Sequence, residues 1–389
     1  MRTLRSFIAA VLIFVFLAGG LGFLCGKVSL ECEDRDFSLW YSPYKTRSFH
    51  LLANNIRPET MLLMGSSEFR YGQNTVYHPK NLFRGREIDL LSVGGAYNQS
   101  LFHMIALGAL EPELKNRKAV LLISPSWFKK SGVKGEDYGL RFSEMEYIAF
   151  QENNRIPKEI REYAARRSET LLGSNKKLKG RVRRIDRALL ENKSSGLEDL
   201  WYQVEKTRAS KQDRSTAMVS LLSFKVKKRE RSPLTNPMEE ICWESLLRKA
   251  ENESRKLSNN PFDMSDAAWK KEIRSASRSM KGIRKAEQYD DSPEFRDLEY
   301  FLKLCQSLDI RCKLIVLPVN GKWFDYTGMT GDKREVVGET VRQLSEQYGA
   351  ECAVLSQYDY EKYITSDAVH PWNKGWVKIN EEIYRYYME

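Results

Sequence analysis

The sequence lacks the cysteine and histidine patterns that mark a structural zinc site. Its six cysteines form no CxxC pair, and its four histidines do not stand at zinc-ligand spacing from them. The cysteines alone therefore do not identify the redox compartment. Runs of low complexity are also missing, which argues against a long disordered region.

Acidic residues are too few to balance the basic ones, since 63 Lys and Arg face 52 Asp and Glu and the formal net charge is +11. A basic balance of this size favours an anionic partner, such as nucleic acid, an anionic membrane surface or an anionic polymer. A merely solubilising surface is the alternative. At 389 residues, the chain can form one large α/β domain or a domain with a sizeable insertion.

Residues 6–26 contain no charged side chain and reach the roughly 20 residues that a membrane-spanning helix needs. Arg2 and Arg5 precede this stretch, and acidic residues follow Lys27. The positive-inside rule then predicts that residues 1–5 are cytoplasmic and residues 27–389 extracytoplasmic. A cleaved signal peptide is the alternative, although its apolar region is usually shorter. We predict a single-pass anchor in the cell membrane.

Short apolar runs indicate the buried strands of a mostly parallel sheet. They lie at 61–64, 88–93, 119–123, 314–317 and 353–355. Helical patterns separate them, as at 101–110 and 336–348, and this alternation predicts an α/β fold with helices on both faces of the sheet. Functional sites in such folds lie beyond the carboxyl ends of the strands.

A helical insertion is predicted between the third and fourth strands, at about 150–290. Two basic runs stand out in it, the first at 166–187 and the second at 225–231. The first contains Arg166, Arg167, Lys176, Lys177, Lys179, Arg181, Arg183, Arg184 and Arg187. Apolar residues at helical spacing predict that the insertion packs on the sheet with a basic outer face. A solvated helix face is the alternative for any one charge, and an external domain is not expected to bind nucleic acid.

A serine pair follows the first predicted strand. Gly65-Ser66-Ser67-Glu68 closes that strand and precedes a helical start. A serine in such a turn exposes its hydroxyl at the edge of the sheet, where backbone N–H groups can stabilise a developing oxyanion. Because Gly-Ser-Ser is a common loop sequence, the motif alone is a weak signal.

Asp367 and His370 lie three residues apart after the last predicted strand. A serine nucleophile needs a base within hydrogen-bond reach, and that base needs an orienting group. Asp and His at this spacing can form a hydrogen bond, which leaves the second imidazole nitrogen for the serine. A DxxH pair also arises by chance, but its position at the expected edge of the sheet favours a triad with Ser67.

The order Ser, Asp, His, with the last two in one DxxH, resembles the SGNH hydrolase superfamily. Further motifs resemble those of the DltD family. They are MGSSEF (64–69), SVGGAYNQS (92–100), ISPSWF (123–128), NPFDMSDAAWKK (260–271), LPVNGKWFDYTG (317–328) and SDAVHPWNKGW (366–376). With the N-terminal stretch, these blocks span nearly the whole chain, and PVNGKWxDYTG is more specific than the triad. The resemblance implies a flavodoxin-like or SGNH-hydrolase-like parallel sheet.

The resemblance also implies a role for single residues. Ser67 would be the nucleophile, His370 the general base and acid, and Asp367 the residue that orients the imidazole. The backbone N–H of Ser67 and that of Gly94 or Gly95 would form the oxyanion hole.

A third oxyanion donor is not assigned, because SGNH enzymes have an Asn after the third strand where this chain has Ser124-Pro125-Ser126-Trp127. Other residues in strand-end loops are expected to line a substrate site. They are Trp127, Asn320, Trp323 and Trp372. Core packing is an equal alternative for each tryptophan.

The function implied by the resemblance is the esterification of teichoic or lipoteichoic acid with D-alanine. Ser67 would carry D-alanine as an acyl-enzyme ester and pass it to a polyol hydroxyl. A membrane acyltransferase of the MBOAT type and a D-alanyl carrier protein would be partners, and no metal or other cofactor would be needed. The basic insertion would hold the phosphates of the polymer.

Two alternatives stay open. An SGNH esterase or O-acetyltransferase acting on cell-wall glycans would share Ser67, Asp367 and His370, but would not predict the PVNGKWxDYTG block. A non-catalytic scaffold of the D-alanylation machinery would work without the Ser67 hydroxyl.

Overall fold

A computed structural model describes residues 28–32, 35–191, 196–224 and 241–389, with the single positions 6, 7, 9, 10, 13 and 26. Most of the predicted anchor at 6–26 and the whole second basic run at 225–231 lie outside the described residues. Within the described residues, no helix combines the length and the apolar character needed to cross a membrane.

One five-stranded parallel sheet forms the centre of the described chain, in the order β2-β1-β3-β4-β5. The strands are β1 Met61–Gly65, β2 Leu90–Gly94, β3 Lys118–Ile123, β4 Arg311–Val316 and β5 Glu351–Val354. The predicted α/β fold with a parallel sheet between helices is confirmed. This strand order is that of flavodoxin-like sheets, in which the chain changes direction across the sheet next to β1 and ligands bind at that point.

The bounds of β4 differ most from the sequence prediction. The strand begins at Arg311, whereas the apolar pattern predicts a start at Leu314. Lys313 interrupts the apolar pattern but is buried, because its ammonium lies 2.9 Å from Glu382 of the C-terminal helix. A buried cation with a carboxylate partner can occupy a strand that apolar periodicity does not detect.

Helices cover both faces of the sheet. The longer ones are Ser100–Leu110, Gly135–Arg141, Glu144–Glu152, Lys158–Leu171, Lys176–Leu190, Gly196–Phe224, Trp243–Arg255, Pro293–Ser307, Gly321–Thr327, Gly331–Gln347 and Asn373–Met388. Short ones are Arg35–Ser38, Pro43–Thr46, Phe49–Ala53, Pro79–Leu82, Asp266–Ala268 and Ser277–Met280. Successive side chains of β1 alternate between the two faces, as strand geometry requires, so that Leu62 joins one core cluster and Leu63 the other.

Acidic side chains neutralise more of the first basic run than its composition indicates. Its helices, Lys158–Leu171 and Lys176–Leu190, place several of its cations against acids of the same helix or of other segments. The pairs are Arg166–Glu162, Arg167–Asp297, Arg181–Glu144, Arg183–Glu169 and Arg184–Glu205. The predicted basic outer face is therefore reduced. Sequence spacing connects Arg166 with Glu162, four residues away, but it does not connect the other arginines with acids of other segments. The division of the domain at 150 and 290 stays a prediction.

The ends of β1 and β2 approach so closely that one glycine has no room for a side chain. Gly94 is paired with Gly65 and has a φ of 152°. A Cβ atom on Gly94 would overlap the carbonyl oxygen of Gly65. Only glycine combines this φ with this approach, so the two strand ends can lie together.

We predict that Gly94→Ala lowers the free energy of unfolding by more than about 2 kcal/mol, because it adds backbone strain to a steric overlap. Gly173→Ala is the matched control, since its Cβ would meet nothing within 4 Å. Urea unfolding of the two purified full-length variants measures the difference. Equal stability of Gly94→Ala and Gly173→Ala would show that the strand ends do not need the close approach.

Candidate active site at the carboxyl edge of the sheet

The turn after β1 is fixed by hydrogen bonds before it presents Ser67. The hydroxyl of Ser66 donates to the carbonyl of Gly95 at 3.1 Å, which ties the turn to the end of β2. The N–H of Ser66 donates to Oε1 of Glu68 at 2.5 Å. A short 3-10 helix, Ser67–Arg70, begins at once. The Ser67 side chain thereby reaches a cavity at the carboxyl edge of the sheet.

The structure brings together Ser67, His370 and Asp367. The Ser67 Oγ lies 2.8 Å from His370 Nε2, and His370 Nδ1 lies 2.7 Å from Asp367 Oδ2. The second oxygen of buried Asp367 accepts the N–H groups of Val369 and His370, each at 2.9 Å. A carboxylate held in this way fixes the imidazole, whose Nε2 can take the proton of the serine hydroxyl.

Tyr71 covers one face of the imidazole. Its ring stacks on His370 with a centroid distance of 3.6 Å and an interplanar angle of 8°. The indole N–H of Trp376 donates to the Tyr71 carbonyl at 2.9 Å and so fixes the backbone behind the ring. Burial, with the nearby charge of Asp367, raises the pKa of Tyr71 to about 12, so the phenol stays neutral. Sequence reasoning missed Tyr71, whose only signal is its place just after the Ser67 turn.

Glu68 is a buried carboxyl beside Ser67 that sequence reasoning also left without a role. Burial raises the pKa of Glu68 to about 7, against the opposing effect of the hydrogen bond from the Ser66 N–H. At a pKa of about 7, Glu68 carries less negative charge next to Ser67 at neutral pH than an ordinary glutamate would. Its main contact is with the backbone of the turn, which indicates that it positions Ser67.

Two backbone N–H groups are available for an oxyanion hole. The hydroxyl of Thr46 accepts the N–H of Gly94 at 3.4 Å and donates to the Gly94 carbonyl at 2.9 Å. The Gly94 N–H thus already has an acceptor, so Gly95 is the better candidate of the two predicted alternatives. Among the described residues, the amides of Ser67 and Gly95 have no hydrogen-bond acceptor. Gln99 and Ser126, whose side chains also carry donors, line the same cavity.

The cavity above the triad has a volume of about 560 Å³. Besides Ser67 and His370, aromatic and charged side chains line it. They include Tyr41, Arg70, Tyr71, Tyr97, Trp127, Lys129, Lys134, Asp137 and Arg284. This mixture suits a polar, anionic substrate with apolar groups. Among the described residues, no group of three or more His, Cys, Asp or Glu side chains is arranged to hold a metal ion.

Only one of the four predicted substrate-binding residues lines this cavity. Trp127 does, whereas Asn320, Trp323 and Trp372 lie elsewhere. The Asn320 side chain accepts the Trp323 N–H at 2.9 Å and so caps the helix Gly321–Thr327. Trp323 is buried against the ring of Phe262. The structure does not bring Asn320 and Trp323 to the cavity, because the loop after β4 turns into a capped helix.

Trp372 is held away from the cavity by its own neighbours. The backbone N–H of Trp372 donates to the Ile364 carbonyl at 2.9 Å, and its ring contacts that of Tyr363 edge-on. These contacts fix the segment that leads into the C-terminal helix Asn373–Met388. Trp372 and Ile364 thereby join the two ends of the loop that carries Asp367 and His370.

Comparison with known proteins gives one family. A family model described as "DltD protein" matches residues 44–388. The chain is 25% identical to Protein DltD of Bacillus subtilis (strain 168), over 98% of this chain and 97% of that protein. It is 27% identical to Protein DltD of Staphylococcus aureus (strain NCTC 8325 / PS 47), over 82% of this chain and 79% of that protein. It is 26% identical to Protein DltD of Lacticaseibacillus rhamnosus, over 82% and 75%.

We predict that Glu68→Gln makes stability less dependent on pH. The folded protein holds the Glu68 proton up to about pH 7, whereas the unfolded chain releases it near 4.5. The free energy of unfolding therefore falls as the pH rises between these values, by about 1.4 kcal/mol for each unit of pKa difference. Glutamine has no proton to lose and can still accept the Ser66 N–H.

Urea unfolding of full-length wild type and Glu68→Gln at about pH 5 and about pH 7.5 tests this. Other buried acids are common to both proteins, so the difference between the two pH dependences reports Glu68. If the free energy of unfolding of both proteins fell equally between these two pH values, Glu68 would already be ionised in the folded state at the lower pH.

Proposed function

Because this chain belongs to the DltD family, we propose that it is an extracytoplasmic serine acyltransferase that esterifies teichoic acid with D-alanine. Residues 6–26 would anchor it in the cell membrane, with residues 1–5 inside and residues 27–389 outside. The observation that carries the proposal is the hydrogen-bonded chain from Ser67 through His370 to Asp367 in an accessible cavity.

In the first half-reaction, an activated D-alanyl group reaches the cavity. The Ser67 oxygen attacks the acyl carbonyl carbon while its proton passes to His370 Nε2. Asp367 stabilises the imidazolium, and the N–H groups of Ser67 and Gly95 stabilise the oxyanion. The bond to the donor breaks, and the leaving group takes the proton from His370. D-alanine is then held as an ester on Ser67.

In the second half-reaction, a polyol hydroxyl of teichoic acid attacks that ester. His370 accepts the proton of the hydroxyl and returns it to the Ser67 oxygen as the acyl–serine bond breaks. Each half-reaction exchanges one acyl bond for a similar one, so the proposed steps need no metal or nucleotide. The proposed partners are the polymer, a membrane acyltransferase of the MBOAT type and the D-alanyl carrier protein.

We predict that Ser67→Ala abolishes D-alanylation in cells. The test uses cells without this protein and without a second copy, complemented with wild type, Ser67→Ala or the control Ser223→Ala. Ser223 suits as control because it is exposed and bonds only within its own helix. Teichoic acid from Ser67→Ala cells should have the ester content of uncomplemented cells, because loss of a nucleophile costs orders of magnitude in rate.

Equal membrane levels of the three proteins must be checked by blot. Full ester content with Ser67→Ala would overturn the catalytic proposal and favour the scaffold. Unchanged esters in uncomplemented cells would instead favour an SGNH esterase or O-acetyltransferase with another substrate.

A further inference from the structure

We propose that Arg70, Lys134 and Arg284 form a phosphodiester-binding site in the catalytic cavity, which holds the acceptor polymer beside Ser67. The inference rests on the function proposed above. It assigns acceptor binding to the cavity wall, whereas composition alone suggested the basic run at 166–187.

The charges of the cavity wall are unbalanced. Four cations line the cavity, and among the described residues that line it Asp137 is the only carboxylate. Lys129 has a counter-charge, since its ammonium lies 3.7 Å from Glu287. Arg70, Lys134 and Arg284 form no ion pair with an acid of the described chain. The wall therefore presents positive charge that an anionic ligand can neutralise.

Arg284 is held in place by its backbone and by an aromatic ring, but one nitrogen of its guanidinium has no hydrogen-bond partner among the described residues. Its backbone N–H donates to the Thr327 carbonyl at 2.7 Å, and its guanidinium lies 4.8 Å from the ring centroid of Phe324. Its Nη1 is buried and has no hydrogen-bond partner among the described residues. A buried, unpaired guanidinium nitrogen costs free energy that an anionic acceptor would recover.

The three cations come from three different segments. Arg70 ends the 3-10 helix that begins at Ser67, so it follows the nucleophile by less than one helical turn of chain. Lys134 directly precedes the helix Gly135–Arg141. Arg284 belongs to the segment anchored on the helix Gly321–Thr327, which contains most of the PVNGKWxDYTG motif. That motif would thus contribute to the site by holding Arg284 in place.

Phosphodiester is the ligand chemistry that this wall fits best. Guanidinium and ammonium groups both bind phosphate oxygens, the first through paired N–H groups and the second as a point charge. In a polyol phosphate, each hydroxyl lies close to a phosphodiester along the chain. Holding the phosphate would raise the effective concentration of that hydroxyl at the acyl-serine, which favours transfer over hydrolysis.

The basic run provides a matched control surface. Lys176, Lys177 and Lys179 begin the helix Lys176–Leu190 and do not line the cavity. They form no ion pair with an acid of the described residues. Replacing all three removes more positive charge than replacing any one of the cavity cations.

The test measures binding of poly(glycerol phosphate), freed of D-alanine by mild alkali, to the full-length protein in detergent. All variants carry Ser67→Ala so that no turnover interferes. Arg70→Gln, Lys134→Gln and Arg284→Gln should each weaken binding about tenfold at low salt, the value of one hydrogen bond to a charged group. The triple Lys176→Gln, Lys177→Gln, Lys179→Gln control should stay close to the parent.

Unchanged binding in the folded cavity variants, or loss of binding in the lysine control instead, would overturn the inference. Arg70 and Lys134 are exposed, so their variants test it even if Arg284→Gln does not fold. Failure of the proposed function is distinguishable, because it appears as normal esters in Ser67→Ala cells and does not depend on polymer binding.

Discussion

The hydrogen bond between Ser67 and His370 joins two segments that are 303 residues apart in the sequence. It depends on the parallel sheet, which brings the carboxyl ends of β1 and β5 to one edge. Gly94 and Gly65 let the ends of β2 and β1 approach closely, and the Ser66 hydroxyl then ties the turn to β2. Ser67 is thus positioned by the close approach of two strand ends and by the hydrogen bond of its neighbour Ser66.

Buried groups around the triad limit its motion. Asp367 accepts two backbone N–H groups as well as the imidazole, so its carboxylate has one orientation. The Tyr71 ring covers one face of His370, and Glu68 holds the Ser66 N–H. Such support keeps reacting groups within reach of each other, which is how positioned side chains accelerate acyl transfer.

The sequence was sufficient to predict the parallel sheet and to bring Ser67, Asp367 and His370 into one hypothesis, because strand-end loops carry sites in this fold. The sequence was not sufficient to predict contacts between distant segments. Tyr71 and Glu68 have no sequence signal for stacking or burial.

The same limit applies to the predicted substrate site and to the basic run. Asn320 and Trp323 follow a strand end, as a ligand-binding residue would, but the local fold uses them as a helix cap and a core residue. The basic run looked uncompensated because Glu144 and Asp297, which pair with two of its arginines, lie far from it in sequence.

The proposed function requires that D-alanine passes through an ester on Ser67. The most direct measurement supplies isotopically labelled D-alanine to cells, quenches them in acid and digests the isolated protein for peptide mass spectrometry. We expect a labelled alanyl group on the peptide that contains Ser67. It should be lost on mild alkali treatment and be absent from Ser67→Ala. If cells formed labelled teichoic acid esters while the Ser67 peptide never carried the label, D-alanine would not pass through Ser67.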